Sequence, residues 1–297
     1  MNDFDDLLNN TPAPAQEMQR GQLSKEDYAA KKQAEREALY QLVDDTAQYA
    51  VSCDDTFRLF LDVQAQFSRY SAVNSLLIMA QMPEATRLGG FDYWKARGGF
   101  IRSGQTGIAI LEPGKEYEKE DGSTGVSYNI KKVFDASQVD TRKMQLTPPP
   151  QYDNRQLLKA LINKCPMRIR GVDELPNNTG ATTTHEGDIL VRKGLEFADT
   201  FRSIAYEMAQ AELTTRLEIS PNYAFAAYAA TYILCAKYGV DTSDFDFASV
   251  DSVFAGMDAQ EIKAELSQIH FAVDEITGRM AQNLQSEQRT EHSQEAR

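Results

Sequence analysis

Apolar positions recur every three or four residues through most of this 297-residue chain, and the places where that rhythm stops mark its joints. Ser24 is placed to cap a helix running through KEDYAAKKQAEREALYQLVDDTAQYAV, with Asp27 at its third position and an apolar stripe at Leu39, Leu42, Ala47 and Val51. The charged first half of that helix reads as a solvated face. A second helix is predicted from Asp54 to Phe67, capped by Asp54 or Asp55 and carrying Phe57, Phe60, Leu61 and Val63. Leu76, Leu77, Met79 and Ala80 form a third helical face, and Ile108 to Leu111 reads as a buried strand after the Gly104/Gly107 turn. The polar run EPGKEYEKEDG, residues 112–122, reads as a turn or hairpin tip. Val126 to Phe134 is a strand whose Lys131 and Lys132 either line a groove or serve as solubilising edge residues.

The rhythm breaks at LTPPPQ, where Pro148 to Pro150 exclude a helix and offer no donors to a sheet, so residues 146–153 read as a linker. Beyond it the pattern predicts a helix from Asn154 to Asn163, short strands at Met167–Arg170 and Gly187–Lys193 with the loop DELPNNTG between them, and a helix from Asp199 to Leu213. YAFAAYAATYILCAKYG is apolar nearly all round and reads as a buried central helix ended by Gly239. FASVDSVFAGM and the helical EIKAELSQIHFAVDEITGRM complete the second half. The result is an α+β chain of two domains, 22–145 and 154–281. A leader, 1–21, and a tail, 282–297, are too polar to pack.

Composition narrows the function classes. No apolar run is long enough to cross a bilayer, the acidic first residues lack a signal-peptide pattern, and Cys53, Cys165 and Cys235 are scattered without a C-x-x-C pair. These features point to a reducing, cytoplasmic setting without membrane contact. No phosphate-binding glycine loop, nucleophile elbow or internal repeat is present. The chain carries a net charge of −13, yet Ser68 to Leu111 holds five cations against two anions, interleaved with Tyr70, Phe91, Tyr93, Trp94 and Phe100. Single-stranded nucleic acid asks for that mixture, because cations track phosphates while flat rings stack on unpaired bases. Arg69, Tyr70, Asn74, Arg87, Trp94, Lys95, Arg97 and Arg102 are the candidate contacts. The same spacing also suits Phe91 and Trp94 to a hydrophobic core, so on pattern alone both roles stay open.

The order Arg69-Tyr70-Ser71, Asn74, Leu76-Leu77-Ile78, Gln81, Ala85-Thr86-Arg87, Gly90-Phe91, Trp94, Gly98, Gly104, Gly107 to Leu111 resembles the amino-terminal single-stranded-DNA-binding domain of ArdC-type antirestriction proteins. LtrC-like relatives of that family are carried by conjugative elements. The likeness extends loosely through Val133-Phe134-Asp135, and it departs from the family at Gly99, Ser103 and Thr106, where basic residues are usual. The second half resembles the family's zincin-type metallopeptidase-like domain, whose H-E-x-x-H motif holds zinc between two histidines and uses the glutamate to activate metal-bound water. Here the segment reads Tyr206-Glu207-Met208-Ala209-Gln210, and Tyr228 falls where the acidic third ligand would stand. The resemblance therefore implies a pseudo-metallopeptidase with its metal site lost, a vestigial Glu207, no metal and no cofactor. Tyr206, Glu207, Gln210 and Tyr228 are then expected to form a buried polar cluster.

The function implied is that of a non-sequence-specific single-stranded-DNA-binding, antirestriction-like accessory protein of a conjugative element. Its partners would be single-stranded DNA and proteins of conjugation or restriction systems. The alternative is a catalytically inactive protein-interaction module whose DNA site has decayed.

Overall fold

The computed structural model describes residues 25–118, 124–142, 144, 150–215 and 220–295, with Lys25 and residues 285–295 described by backbone alone. The leader 1–21, and Pro148 and Pro149 of the linker, lie outside the described residues. The chain divides into two compact units, Met1–Tyr40 and Gln41–Arg297.

In the first unit, helix α1 (Lys25–Ala50) is exposed from Glu26 to Ala38, and its side chains bond along the helix, Lys32 to Glu35 and Gln33 to Glu37, each at 2.8 Å. In the second unit the last turns of α1 bury Val43, Ala47 and Ala50, so the buried stripe passes through Val43 rather than the half-buried Leu42.

The second unit continues with α2 (Asp54–Gln66), α3 (Ala72–Gln81), β1 (Leu88–Gly89), α4 (Phe91–Ala96), β2 (Phe100–Ile101), β3 (Ile108–Glu118), β4 (Thr124–Asp135) and β5 (Val139–Asp140). The cap of α2 is Cys53, boxed with Thr56; Asp54 instead accepts from Arg58 Nε at 2.8 Å and from the Phe247 amide at 3.0 Å. An antiparallel sheet has the order β1-β4-β3, and β2 pairs with β5. β3 runs on through Glu118, into the segment whose polarity predicts a turn. Both faces of this part of the hairpin are largely exposed, so polar residues suffice. Pro113 is tolerated because β3 is an edge strand, with a register shift between Pro113 and Glu116.

Then follow α5 (Asn154–Ile162), β6 (Ile169–Val172), β7 (Ala181–Thr183), β8 (Ile189–Arg192), α6 (Phe197–Thr214), α7 (Tyr223–Tyr238), α8 (Val250–Val253) and α9 (Ala259–Glu295). The order of their sheet is β6-β8-β7, parallel between β6 and β8 and antiparallel between β8 and β7. β6 begins two residues after Met167. Strand β7 is absent from the pattern-based reading, because Ala-Thr-Thr behind a Gly-Asn-rich loop carries too short a periodic signal.

Helix α7 packs against α6, α9 and α2, and α3 packs against β3 and α9. α7 stops at Gly239, whose φ of 71° is left-handed. A cluster of rings ties α2 to the second half: Phe57 lies 5.2 Å from Phe247 and 5.4 Å from Phe225, which is 5.9 Å from Phe254. Tyr232 donates to Asp62 at 2.8 Å beside them. Segments on either side of residues 146–153 thus share one core within Gln41–Arg297. Asn283 and Leu284 on α9 are buried, so packing enters the segment whose polarity predicts a tail.

Candidate functional site

The amino-terminal motif residues first build a scaffold. Asn74 and Gln81, two helical turns apart on α3, face the free edge of β3. Asn74 donates to Leu111 O at 2.9 Å and accepts from Leu111 N at 2.8 Å; Gln81 makes the same pair of bonds to Ala109 at 2.9 and 2.8 Å. Alternate residues of an edge strand point their backbone groups the same way, so one helix face can satisfy both. Asn74 is buried, and its side-chain amide is engaged with the Leu111 backbone.

Trp94 is 0% exposed, and its indole N–H donates to Phe134 O at 3.0 Å. A ring enclosed on both faces cannot stack on a base; Trp94 is core. Asp135, also buried, accepts from the amides of Thr86 at 2.7 Å and of Arg87 and Ser137 at 2.8 Å. Burial opposes its charge, but the amides of Arg87, Ser137 and Thr86 outweigh it, and the carboxyl sits below its ordinary value. This arrangement locks the Thr86–Arg87 turn onto the end of β4.

Over this scaffold lies a groove of about 650 Å³ between the start of α3, the β1–α4 turn and the β3–β4 hairpin. Arg69, Tyr70, Tyr93, Tyr128 and Lys131 line it, with His270 of α9 at its border. Arg69, Lys131, Tyr93 and Tyr128 are exposed, and Tyr70 is half-buried. Burial raises the Tyr70 phenol above its ordinary value, against the pull of the Lys131 ammonium. Lys131 is paired with Glu112 at 2.5 Å, an exposed pair of the kind that exchanges readily for another anion. Tyr93 packs onto Gly89, where a Cβ would meet its ring at 2.2 Å, and Arg97 lies 3.8 Å over the same ring. Lys237 of α7 donates to Ser68 at 2.7 Å, bringing a further cation next to Arg69 in the chain. Burial lowers the His270 imidazole, against Asp274, and its Nδ1 has no hydrogen-bond partner.

Of the predicted contacts, Arg69, Tyr70 and Asn74 line this groove. Lys95, Arg97 and Arg102 are exposed outside it, Arg87 is half-buried, and Trp94 is enclosed. Lys95 lies 5.9 Å over Phe91, and Arg102 donates to Val139 O at 3.3 Å. The rings on the groove are Tyr70, Tyr93 and Tyr128. Tyr128 is absent from the predicted contacts because it lies 17 residues beyond Leu111, where the charge reading stops. Only strand pairing carries it back.

A second cavity, of about 520 Å³, lies between β7, α6 and α7, lined in part by Arg202, Tyr206, Glu207, Tyr228 and Phe245. The degenerate-motif residues do not join into one cluster. Gln210 donates to Tyr206 Oη at 2.7 Å, Thr183 of β7 donates to Glu207 Oε2 at 2.6 Å, and Tyr228 Oη accepts from the Asp246 amide at 2.9 Å. Burial raises the Tyr206 phenol; Gln210 lowers it and the Glu207 charge raises it. These residues do not fit a divalent metal. Two phenols and an amide already tied to protein partners leave one carboxylate as donor, and among the described residues no group of three or more His, Cys, Asp and Glu could hold an ion.

The chain is a mixed helix-and-sheet protein whose amino-terminal half carries a groove lined by Arg69, Lys131, Glu112 and three tyrosines. Residues 47–147 match the family model for the N-terminal domain of anti-restriction factor ArdC. The fold resembles the Mn(II)-bound crystal structure of antirestriction protein ArdC from plasmid R388, at 17% identity and a TM-score of 0.52, covering 82% of this chain and 98% of that one. The metal-free structure of the same protein aligns at 19% identity and a TM-score of 0.49 over 72% of this chain and 86% of that one. A Bacillus anthracis protein, "Uncharacterized protein pXO2-81", is 25% identical over 298 residues, which cover 80% of this chain and 50% of the relative. The chain thus spans about half the length of that curated relative. Residues 47–147 are thus similar to the ArdC N-terminal domain, and the fold over 82% of the chain is similar to that of the R388 protein.

Proposed function

We propose that the chain binds single-stranded DNA without sequence preference in the groove lined by Arg69, Tyr70, Tyr93, Tyr128 and Lys131. It would act as an antirestriction-like accessory protein of a conjugative element, in the cytoplasm. The observation that carries this reading is the groove itself, where cations flank exposed tyrosine rings at the surface of an ArdC-type N-terminal domain. Among the described residues no helix is long and apolar enough to cross a membrane. Lys95 on α4, Arg97 just after it and Arg102 after β2 are exposed and extend the cationic surface along which a strand could continue. Proteins of conjugation or restriction systems are further candidate partners.

On the same reading the chain is a pseudo-metallopeptidase. The support is the pairing of Tyr206 with Gln210 and of Glu207 with Thr183, which leaves no ligand set. Glu207 then lacks a metal-bound water to deprotonate. Protein purified without a metal-affinity step should contain no stoichiometric zinc or manganese and cleave no peptide library; one equivalent of metal by elemental analysis would overturn that part.

Fluorescence anisotropy with a labelled oligothymidylate at two salt concentrations tests the DNA reading. Binding is expected to exceed that of the duplex of equal length, since paired bases cannot stack on the tyrosines, and to weaken as salt rises. No binding at low salt would overturn it in favour of a protein-interaction module.

A further inference from the structure

The Glu207 cavity holds an unfinished electrostatic arrangement. Glu207 is 8% exposed, so its carboxylate has lost most of its water. Its hydrogen-bond partner is the neutral Thr183 hydroxyl on Oε2. A buried carboxylate is normally matched by a cation or several donors. The one cation on the lining, Arg202, is committed elsewhere, to Asp199 at 2.6 Å and Asp244 at 2.8 Å. The lining charges are therefore Glu207, Asp244 and Arg202, a net excess of one negative charge. The walls are aromatic: Tyr206 and Tyr228 face the cavity, and Phe245 backs Tyr228 with ring centroids 4.9 Å apart. Electron-rich ring faces beside a desolvated carboxylate attract a cation whose own surface is partly apolar, because cation–π attraction strengthens as water is removed. A divalent metal wants several hard or borderline donors and finds one.

We propose that this cavity binds an organic ammonium or guanidinium group, with Glu207 as its counter-ion and Tyr206 and Tyr228 as its aromatic walls. A volume of about 520 Å³ is within the ~300–1,000 Å³ typical of ligand sites and exceeds what a bare amine needs. The group arrives either as a basic side chain on a peptide or as a free alkyl amine. The site is independent of the DNA groove, so its failure leaves that reading untouched.

Calorimetric titration of the full chain with N-acetyl-lysine N-methylamide, its Nε-acetylated neutral counterpart, and 1,4-diaminobutane tests the proposal. One site per chain is expected for a cationic probe, with the neutral counterpart at least about tenfold weaker, since the charge-assisted bond is absent. Tighter binding of the lysine derivative than of the diamine identifies a peptide side chain as the source, and the reverse identifies a free amine. Glu207→Gln, which keeps the shape and the Thr183 bond, should weaken the cationic probe by about tenfold or more without changing the unfolding temperature. Should that variant not fold, Thr179→Trp at the exposed rim should close the cavity and weaken binding similarly. Three results would overturn the proposal: equal binding of charged and neutral probes, full affinity in the folded Glu207→Gln protein, and no heat up to about 5 mM probe. Manganese binding that disappears in Glu207→Gln would overturn both this proposal and the pseudo-peptidase reading.

Discussion

The groove lined by Arg69, Tyr93 and Tyr128 and the Glu207 cavity treat buried polar groups in different ways. Beneath the groove, Asn74 and Gln81 bond the backbone of Leu111 and Ala109 on the edge of β3, Asp135 collects three backbone amides, and Trp94 spends its N–H on Phe134. In the cavity, Glu207 stands buried with one neutral partner. Asn74, Gln81 and Trp94 in the first half make a floor, and the exposed side chains of the groove lie above it. In the second half Glu207 is held by the Thr183 hydroxyl.

Five substitutions would break or sharpen that contrast. Trp94→Ala should cost the most, about 3 to 5 kcal/mol of stability in denaturant unfolding, as a large buried ring is removed. A variant that keeps its stability and loses only DNA affinity would show Trp94 to be a stacking platform after all. Asn74→Ala should strand the N–H and C=O of Leu111, each buried group costing about 1 to 3 kcal/mol, again in stability rather than in binding.

Tyr128→Ala should do the reverse, losing about 1 to 3 kcal/mol of single-strand binding while leaving the unfolding midpoint near that of the parent. The matching charge change, Lys131→Ala, should flatten the log–log salt dependence by about 0.7, because one phosphate is no longer neutralised. An unchanged affinity in both would remove the groove from consideration.

The smallest effect should be confined to acid. The folded-state Asp135 carboxyl is held below its ordinary value of 3.8, so its contribution to stability is fully present above that value. It is lost as pH falls through the depressed folded value. Asp135→Asn should therefore flatten the loss of stability below about pH 4, checked by thermal unfolding from pH 7 to pH 2. Equal slopes for parent and variant would show that Asp135 is not charged in the floor of the groove.

A break near Pro150 is a further way to probe the two halves. Because Phe57 packs on Phe225 and Phe247 across it, fragments cut there should stay associated.

Helix positions were legible in the sequence because a 3.6-residue apolar period is local. The helix predicted from Asp199 to Leu213 is α6, which buries Phe201, Ile204, Ala205, Met208 and Leu213 at helical spacing, and α7 ends at Gly239. The excess of cations and rings between Ser68 and Leu111 was legible for the same reason. Periodicity could not separate a core ring from an exposed one: Trp94 and Phe91 are three residues apart on the same short helix, one fully enclosed and the other 58% exposed. That was decided by what lies opposite each. Nor could spacing show that Asn74 meets Leu111, that Tyr128 returns to Tyr70 across a hairpin, or that an unforeseen strand brings Thr183 to Glu207. Those pairs join residues 24 to 58 positions apart in the chain. The sequence alone determined which residues could bond or stack; which of them did was decided by burial and by the partners that folding brought within reach.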